Sequence, residues 1–114
     1  MQEVFISSVV RDFEPYRAGA RKTIASMGDK PIVCEDFGAL PYSPERACIT
    51  EAENAGVYLL MMGKTYGTET EDGLSVTQAE FRAAKRAGRP ILVFIQNCEM
   101  EPKQKKFRTE VEGL

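Results

Sequence analysis

The sequence predicts a three-layer α/β domain in which a parallel β-sheet carries helices on both faces. The chain has 114 residues, which is the usual length of a single domain. Short apolar runs alternate with longer segments of helical periodicity, and two of the runs are almost continuously apolar, as buried parallel strands are. Because a strand–helix–strand order with right-handed crossovers makes successive strands parallel, we expect a parallel sheet.

Four apolar runs are the predicted strands, and each ends where polar residues or a glycine begin. They occupy residues 4–6, 31–34, 57–62 and 90–95. Helices are predicted between them, with Gly28 and Gly88 as stops for the first and third helices. In the fourth helix Phe107, Val111 and Leu114 share one stripe. The predicted start signals of the four helices are, in order, Asp12, Ser43 with Pro44, Thr77 and Pro102.

This alternation favours the strand order 2-1-3-4, with room for a fifth strand, which is a flavodoxin-like arrangement. Ligands of such sheets bind beyond the carboxyl ends of the strands, where the strand order reverses. That point lies between the first and third strands. We predict that residues 1–98 form the domain, and that residues 99–114 form a carboxyl-terminal helix or linker stub to a downstream region.

The composition argues against several classes of protein. The net charge is −2 with basic residues spread along the chain, so neither nucleic acid nor an anionic membrane is an expected partner. No apolar run reaches membrane-spanning length, and because a strand-like run begins at once we expect no signal peptide. The three cysteines lack CxxC spacing, so we expect reduced, structural thiols in the cytoplasm. The chain has no histidine, which removes His-based triads and His-ligated zinc, and no metal site is predicted.

Polar loops converge on the point where the strand order reverses. The longest is loop 63–75, and a loop of this length in a compact domain is more often functional than not. Its Tyr66 could stack on a base or only cover the edge of the core. The predicted ligand-binding residues are Ser7, Ser8, Arg11, Glu35, Gly63, Tyr66 and Ser75.

Glu80 is the predicted catalytic residue. It lies in the first turn of the predicted third helix, where a carboxylate can steady positive charge that develops on a sugar ring when a C–N glycosidic bond breaks. The alternative, favoured by spacing alone, is a T-x-x-E capping box in which Glu80 reaches back to the backbone amide of Thr77.

A set of short motifs in a fixed order carries a family resemblance over roughly residues 3 to 97. The motifs are F-I-S-S at the end of the first strand, Y-G in loop 63–75, S-x-T-x-x-E around Glu80 and P-x-L-V-F in the fourth strand. Together they resemble the TIR-like domain of unknown function that often opens multidomain proteins carrying a STAND-type NTPase or helical repeats. That family is similar to TIR domains and, more distantly, to nucleoside deoxyribosyltransferases.

The resemblance implies a site and partners. Glu80 matches the glutamate that is essential in enzymatic TIR domains, and Ser7 and Ser8 match the polar strand end that lines the same pocket. It further implies hydrolysis of the nicotinamide N-glycosidic bond of NAD, as substrate and without a separate cofactor. It also implies self-association through residues 40–43 and a downstream NTPase or repeat domain. The alternatives are a deoxyribosyltransferase-like N-glycosidase of nucleosides or nucleotides, and a non-catalytic assembly module.

Overall fold

Strands and helices alternate strictly along the chain. The structure, a computed structural model, describes residues 1–9, 13–34 and 44–114. Its elements are, in order, β1 (Glu3–Ser7), α1 (Glu14–Ser26), β2 (Lys30–Ile32), α2 (Pro44–Asn54), β3 (Val57–Met62), α3 (Val76–Arg86), β4 (Ile91–Ile95) and α4 (Pro102–Glu112).

The described strands form one sheet of four strands in the order β2-β1-β3-β4, and every pairing is parallel. Phe5 of β1 lies opposite both Ile32 of β2 and Tyr58 of β3, and Ser7 lies opposite Leu60. The predicted α/β class, the flavodoxin-like arrangement and the order 2-1-3-4 are confirmed. Because all strands run the same way, the carboxyl ends of β1 and β3 lie side by side at the predicted point of reversal.

Two separate cores pack against the two faces of the sheet. The smaller core lies under α1, and the larger core lies on the other face, under α2, α3 and α4. In the larger core the rings of Phe5 and Tyr58 stack with centroids 5.9 Å apart, and Phe81 meets Phe107 of α4 edge-on at 5.6 Å. The smaller core consists of Ile6, Phe13, Val33 and Met61.

Helix α4 packs against the larger core through Phe107 and Val111, whereas Leu114 is exposed. The division of the chain at residue 98 stays a prediction. Strand β4 is one of the two edges of the described sheet, and the prediction that this apolar run is a buried strand is wrong, because Leu92 and Phe94 are 59% and 46% exposed. Among the described residues, no helix combines the length and apolarity that crossing a bilayer requires.

Predicted and observed bounds of several elements differ by one or two residues, and two of the differences concern residues near the carboxyl ends of the strands. Strand β2 ends at Ile32, so Cys34 lies beyond it. Helix α3 begins at Val76 instead of Thr77, because the hydroxyl of Ser75 accepts the backbone N–H of Gln78 at 3.1 Å and so caps the helix. Gly28 and Gly88 do end α1 and α3, with φ angles of 83° and 73° that favour glycine. The predicted caps Asp12 and Ser43 lie outside the described residues; α1 begins at Glu14, and Phe13 instead of Asp12 occupies its N-cap position.

Candidate active site

Glu80 is buried at the carboxyl end of the sheet and is held there by strand β1. Its side chain is only 3% exposed, and its Oε1 accepts a hydrogen bond from the hydroxyl of Ser7 at 2.7 Å. Ser7 is itself buried at the last position of β1. The capping-box alternative for Glu80 is therefore wrong: the helix cap is Ser75, the capping-box position three residues after it is Gln78, and Glu80 turns towards the sheet.

Tyr58 lies next to Ser7 and Glu80, and the charge of Glu80 affects the pKa of its hydroxyl. Burial, followed by the negative charge of Glu80, raises the pKa of the Tyr58 hydroxyl well above its usual value, while a hydrogen bond with Ser7 acts in the opposite direction. The phenol therefore stays protonated at neutral pH. Its hydroxyl also lies 3.5 Å from the backbone carbonyl oxygen of Thr77 in α3. Ser7, Tyr58 and Glu80 thus form a buried polar group that joins β1, β3 and α3.

A pair of cysteines lies beside the other oxygen of Glu80, and one of the two contacts it. Cys34, just after β2, and Cys48, in α2, form a disulfide with their Cα atoms 5.8 Å apart, and Cys98 is a free thiol. The Sγ of Cys34 lies 3.2 Å from Oε2 of Glu80. The prediction of three reduced thiols is wrong for this pair, because the sequence gives no sign that the ends of β2 and α2 bring two distant cysteines together.

A cavity of about 700 Å³ opens in front of Glu80. This volume is within the range of about 300–1,000 Å³ that small-molecule sites occupy. Its apolar lining includes Ile6, Val9 and Val76. The described polar and sulfur-bearing residues that line it are Ser8, Arg17, Cys34, Cys48, Thr65, Thr68, Thr77, Glu80 and Glu101.

Arg17 brings a positive charge to the cavity from helix α1. It is 5% exposed, and its Nη1 donates a hydrogen bond to the hydroxyl of Ser8 at 2.7 Å. This contact fixes the first residue after β1 at the rim of the cavity. The arginine was missed as a site residue by sequence reasoning, although a signal exists: it stands four residues after Phe13 on the buried face of the helix, where an apolar residue is the norm.

Loop 63–75 forms one wall of the cavity and is held by hydrogen bonds along its length. The hydroxyl of Tyr66 accepts the backbone N–H of Ser75 at 3.0 Å and donates to the side-chain oxygen of Gln78. The backbone N–H of Val76 donates to the carbonyl of Thr68 at 3.0 Å. Tyr66 therefore couples the loop to the start of α3, with its ring buried in the larger core.

Helix α4 holds the same loop from the other side. Gln104 donates its Nε2 to the carbonyl of Gly63 at 2.9 Å, and Oε1 of Glu101 accepts the backbone N–H of Tyr66 at 2.8 Å. The backbone N–H of Glu101 donates to the carbonyl of Lys64 at 3.1 Å. Gly63 is closely packed from the opposite direction, because an added Cβ there would overlap the ring of Phe13.

The predicted site residues divide into three groups in the structure. Glu80 and Ser8 line the cavity, and Ser7 lies directly behind Glu80. A second group supports the wall and is not among the described lining residues: Gly63, Tyr66 and Ser75. Arg11 and Glu35 lie outside the described residues, as does the segment 40–43 to which self-association was assigned.

The fold and the cavity define a flavodoxin-like α/β domain with a candidate ligand site at the carboxyl ends of its strands. The chain belongs to the family described as Domain of unknown function (DUF4062), whose model matches residues 3–113. This agrees with the resemblance to a domain of unknown function. The relation to TIR domains and the downstream NTPase stay predictions.

Solved structures share this architecture. The chain is similar to the 2-deoxyribosyltransferase of the psychrotolerant bacterium Bacillus psychrosaccharolyticus, with a TM-score of 0.63 and 11% identity over 98% of this chain and 91% of that chain. It is also similar to the CMP N-glycosidase BcmB of Clostridium botulinum, with a TM-score of 0.59 and 11% identity over 99% of this chain and 100% of that chain. No curated protein matches the chain in sequence. At this level of identity the likeness shows a shared fold.

Proposed function

We propose that the chain cleaves the N-glycosidic bond of a nucleotide or nucleoside, with Glu80 as the carboxylate that acts on the sugar. The observation that carries this proposal is the placement of Glu80, a buried carboxylate fixed by Ser7 at the wall of a ligand-sized cavity. The names of the two similar structures, a 2-deoxyribosyltransferase and a CMP N-glycosidase, support the class of bond.

The reaction asks little of the protein beyond position and charge. When the C–N bond breaks, its electron pair leaves with the base and the anomeric carbon becomes cationic. A carboxylate beside that carbon lowers the energy of the transition state, either through its charge or as a nucleophile that forms a glycosyl ester. Water then supplies the hydroxyl, so that nucleotide and water give free base and sugar phosphate. The Ser7 hydrogen bond holds Oε1 of Glu80 in place, and Oε2 is the second oxygen available at the wall.

The absence of histidine restricts how the leaving base can be protonated. A cytosine or purine needs a proton as it leaves, and the carboxyl groups among the described lining residues are those of Glu80 and Glu101. The nicotinamide of NAD carries a positive charge and leaves as a neutral molecule without taking a proton. This difference favours NAD as a substrate candidate beside nucleoside monophosphates, in agreement with the TIR-like motifs.

The experiment is a substrate panel on the purified chain with the release of free base measured by chromatography. CMP, deoxycytidine and NAD represent the three substrate classes. We expect base release from at least one of them, and a loss of about a hundredfold or more in turnover for Glu80→Gln. Glu99→Gln, which removes an exposed carboxylate that is not among the described lining residues, is the matched control and should leave turnover unchanged.

If the panel shows no release of base, a non-catalytic function takes the place of the enzyme proposal. If no base is released from any substrate at protein concentrations at which sedimentation shows self-association, the enzyme proposal fails. The chain would then be a non-catalytic assembly module, which the TIR-like resemblance also allows, acting with downstream NTPase or repeat domains. If base is released equally by Glu80→Gln and the wild type, the role assigned to Glu80 fails although the activity stands.

A further inference from the structure

Cys34, Cys48 and Glu80 place three metal-ligating groups around one point of the cavity wall. The two sulfur atoms and a carboxylate oxygen all lie within 4.8 Å of one another. The three residues come from separate parts of the fold, namely the end of β2, helix α2 and helix α3. All three line the cavity, so the point they surround is accessible on one side. We propose that, once the disulfide is reduced, this group binds a zinc ion.

The donor set selects the metal. Two thiolates and one carboxylate suit Zn²⁺, and they suit the hard cations Mg²⁺ and Ca²⁺ poorly because those prefer oxygen ligands. Three protein ligands with the fourth position open to a cavity is the arrangement of zinc sites that accept water or a ligand. The sequence predicted no metal site because the chain has no histidine, but the cysteines and Glu80 supply three donors without one.

Reduction makes the spacing suitable. A thiol reductant gives the disulfide two electrons and two protons and is itself oxidised to a disulfide, whereas a phosphine gives two electrons and becomes the phosphine oxide while water supplies the two protons and the oxygen. Either route leaves two thiols, whose sulfur atoms are no longer bonded and move apart. Tetrahedral zinc with Zn–S bonds of about 2.3 Å requires a sulfur–sulfur separation of roughly 3.8 Å. Cα atoms 5.8 Å apart leave the side chains free to reach that separation by rotation. The Sγ of Cys34 already lies 3.2 Å from Oε2 of Glu80. Binding zinc then releases the two thiol protons to solvent.

Ser7 completes the surroundings of the proposed ion. Its hydroxyl donates to Oε1 of Glu80, which leaves Oε2 as the ligating oxygen and fixes the plane of the carboxylate. Hydrogen bonds of this kind to a ligand orient it and strengthen metal binding. Zinc occupancy would also engage Glu80, so it is expected to inhibit any N-glycosidic cleavage. The binding itself does not depend on the proposed function.

The test is metal binding by the whole chain. Protein reduced with a phosphine, and then freed of the reductant without oxygen, is titrated with Zn²⁺ against a chromophoric chelator. We expect one ion per chain, and binding weakened about a hundredfold or more by Cys34→Ser and by Cys48→Ser, about tenfold or more by Glu80→Gln and about tenfold by Ser7→Ala. Cys98→Ser is the matched control and should bind as the wild type does. Oxidised protein should not bind.

Two further measurements keep the test decisive if a variant fails to fold. Co²⁺ in place of Zn²⁺ should give thiolate-to-cobalt charge-transfer absorption and the intense visible bands of a four-coordinate ion in the reduced wild type. In the same protein, Zn²⁺ should protect Cys34 and Cys48, but not Cys98, from alkylation as mapped by mass spectrometry. Equal binding by oxidised and reduced protein would overturn the proposal, as would loss of binding in Cys98→Ser alone or alkylation of Cys34 and Cys48 unaffected by zinc.

Discussion

Ser7 and Glu80 are 73 positions apart in the chain, and the hydroxyl of Ser7 donates a buried hydrogen bond of 2.7 Å to the carboxylate of Glu80. The bond joins the last residue of β1 to the second turn of α3, across the strand-order reversal at which ligands of such sheets bind. A hydrogen bond to a charged partner is stronger than one between neutral groups. Ser7 is therefore a positioning residue for Glu80.

Replacing Ser7 with alanine should lower both the stability of the fold and, through the position of Glu80, the rate of the proposed reaction. Ser7→Ala removes the donor to Oε1, so we expect a loss of about 1.5–3 kcal/mol in the free energy of unfolding, measured by urea denaturation. If the proposed activity is present, kcat should fall about tenfold with KM little changed. Ser7→Thr, which keeps a hydroxyl, should restore part of kcat. Ser26→Ala removes an exposed hydroxyl and should change neither quantity; a Ser7→Ala variant as stable as this control would contradict the assignment.

The hydroxyl of Tyr66 stabilises the junction between loop 63–75 and α3. Tyr66→Phe leaves the backbone N–H of Ser75 and the side-chain oxygen of Gln78 without their buried partner. We expect the free energy of unfolding to fall by about 1–3 kcal/mol. Tyr16→Phe is the matched control, because the Tyr16 side chain is 45% exposed and its hydroxyl has only a long contact with Gln96. Equal melting temperatures for the two variants would show that the junction contributes nothing.

Two glycine-to-alanine changes should act in opposite directions. At Gly63 an added Cβ overlaps the ring of Phe13, which is itself packed in the smaller core, so Gly63→Ala should destabilise the protein by about 1–3 kcal/mol. At Gly19, inside α1, nothing lies within 4 Å of an added Cβ, so Gly19→Ala should stabilise by about 0.5–1 kcal/mol through helix propensity. Thermal unfolding of both variants beside the wild type measures the two signs, and the same sign for both would refute the steric argument at Gly63.

Glu110 should make stability depend on acid. Hydrogen bonds from Arg82 are the largest influence and lower the pKa of its carboxyl in the folded chain; burial acts in the opposite direction, and a weaker contribution from the Gln78 hydrogen bond adds to the lowering. A lowered folded pKa gives stability that is present above the unfolded value of about 4.3 and is lost as pH falls through the folded value. The free energy of unfolding of the wild type should exceed that of Glu110→Gln by about 1 kcal/mol at neutral pH, and this difference should shrink below about pH 4.

The measurement is urea unfolding of both proteins across that pH range. Glu112→Gln removes an exposed carboxylate from the end of the same helix and corrects for the loss of one charge. A difference between wild type and Glu110→Gln that stays constant down to acid pH would show that the Arg82 pair does not contribute.

Much of the fold could be predicted because hydrophobic periodicity is local. The apolar strands, the glycine stops at Gly28 and Gly88 and the strand order all follow from patterns within short windows. The start of α3 could not be fixed in this way, because Ser75 and Thr77 are both good caps and tertiary contacts of Tyr66 decide between them.

Part of the candidate site could be predicted because the order of the strands follows from the sequence. Glu80 and the end of β1 follow from topology, which brings the carboxyl ends of neighbouring strands together. The contact of Cys34 with Cys48 and Glu80 depends on how the end of β2 packs against α2 and α3, and no local pattern encodes that packing. Arg17 was visible in the sequence only as a charge on an otherwise apolar helix face.

The hydrogen bonds between the start of α4 and loop 63–75 connect the surface of this helix to the cavity. Gln104 and Glu101 hold Gly63, Lys64 and Tyr66 by three hydrogen bonds, and Thr65 between them lines the cavity. Because these hydrogen bonds join them, we expect the helix and this part of the cavity wall to move together. We therefore expect that a partner bound to the exposed face of α4 can change the shape of the cavity without any contact with the ligand.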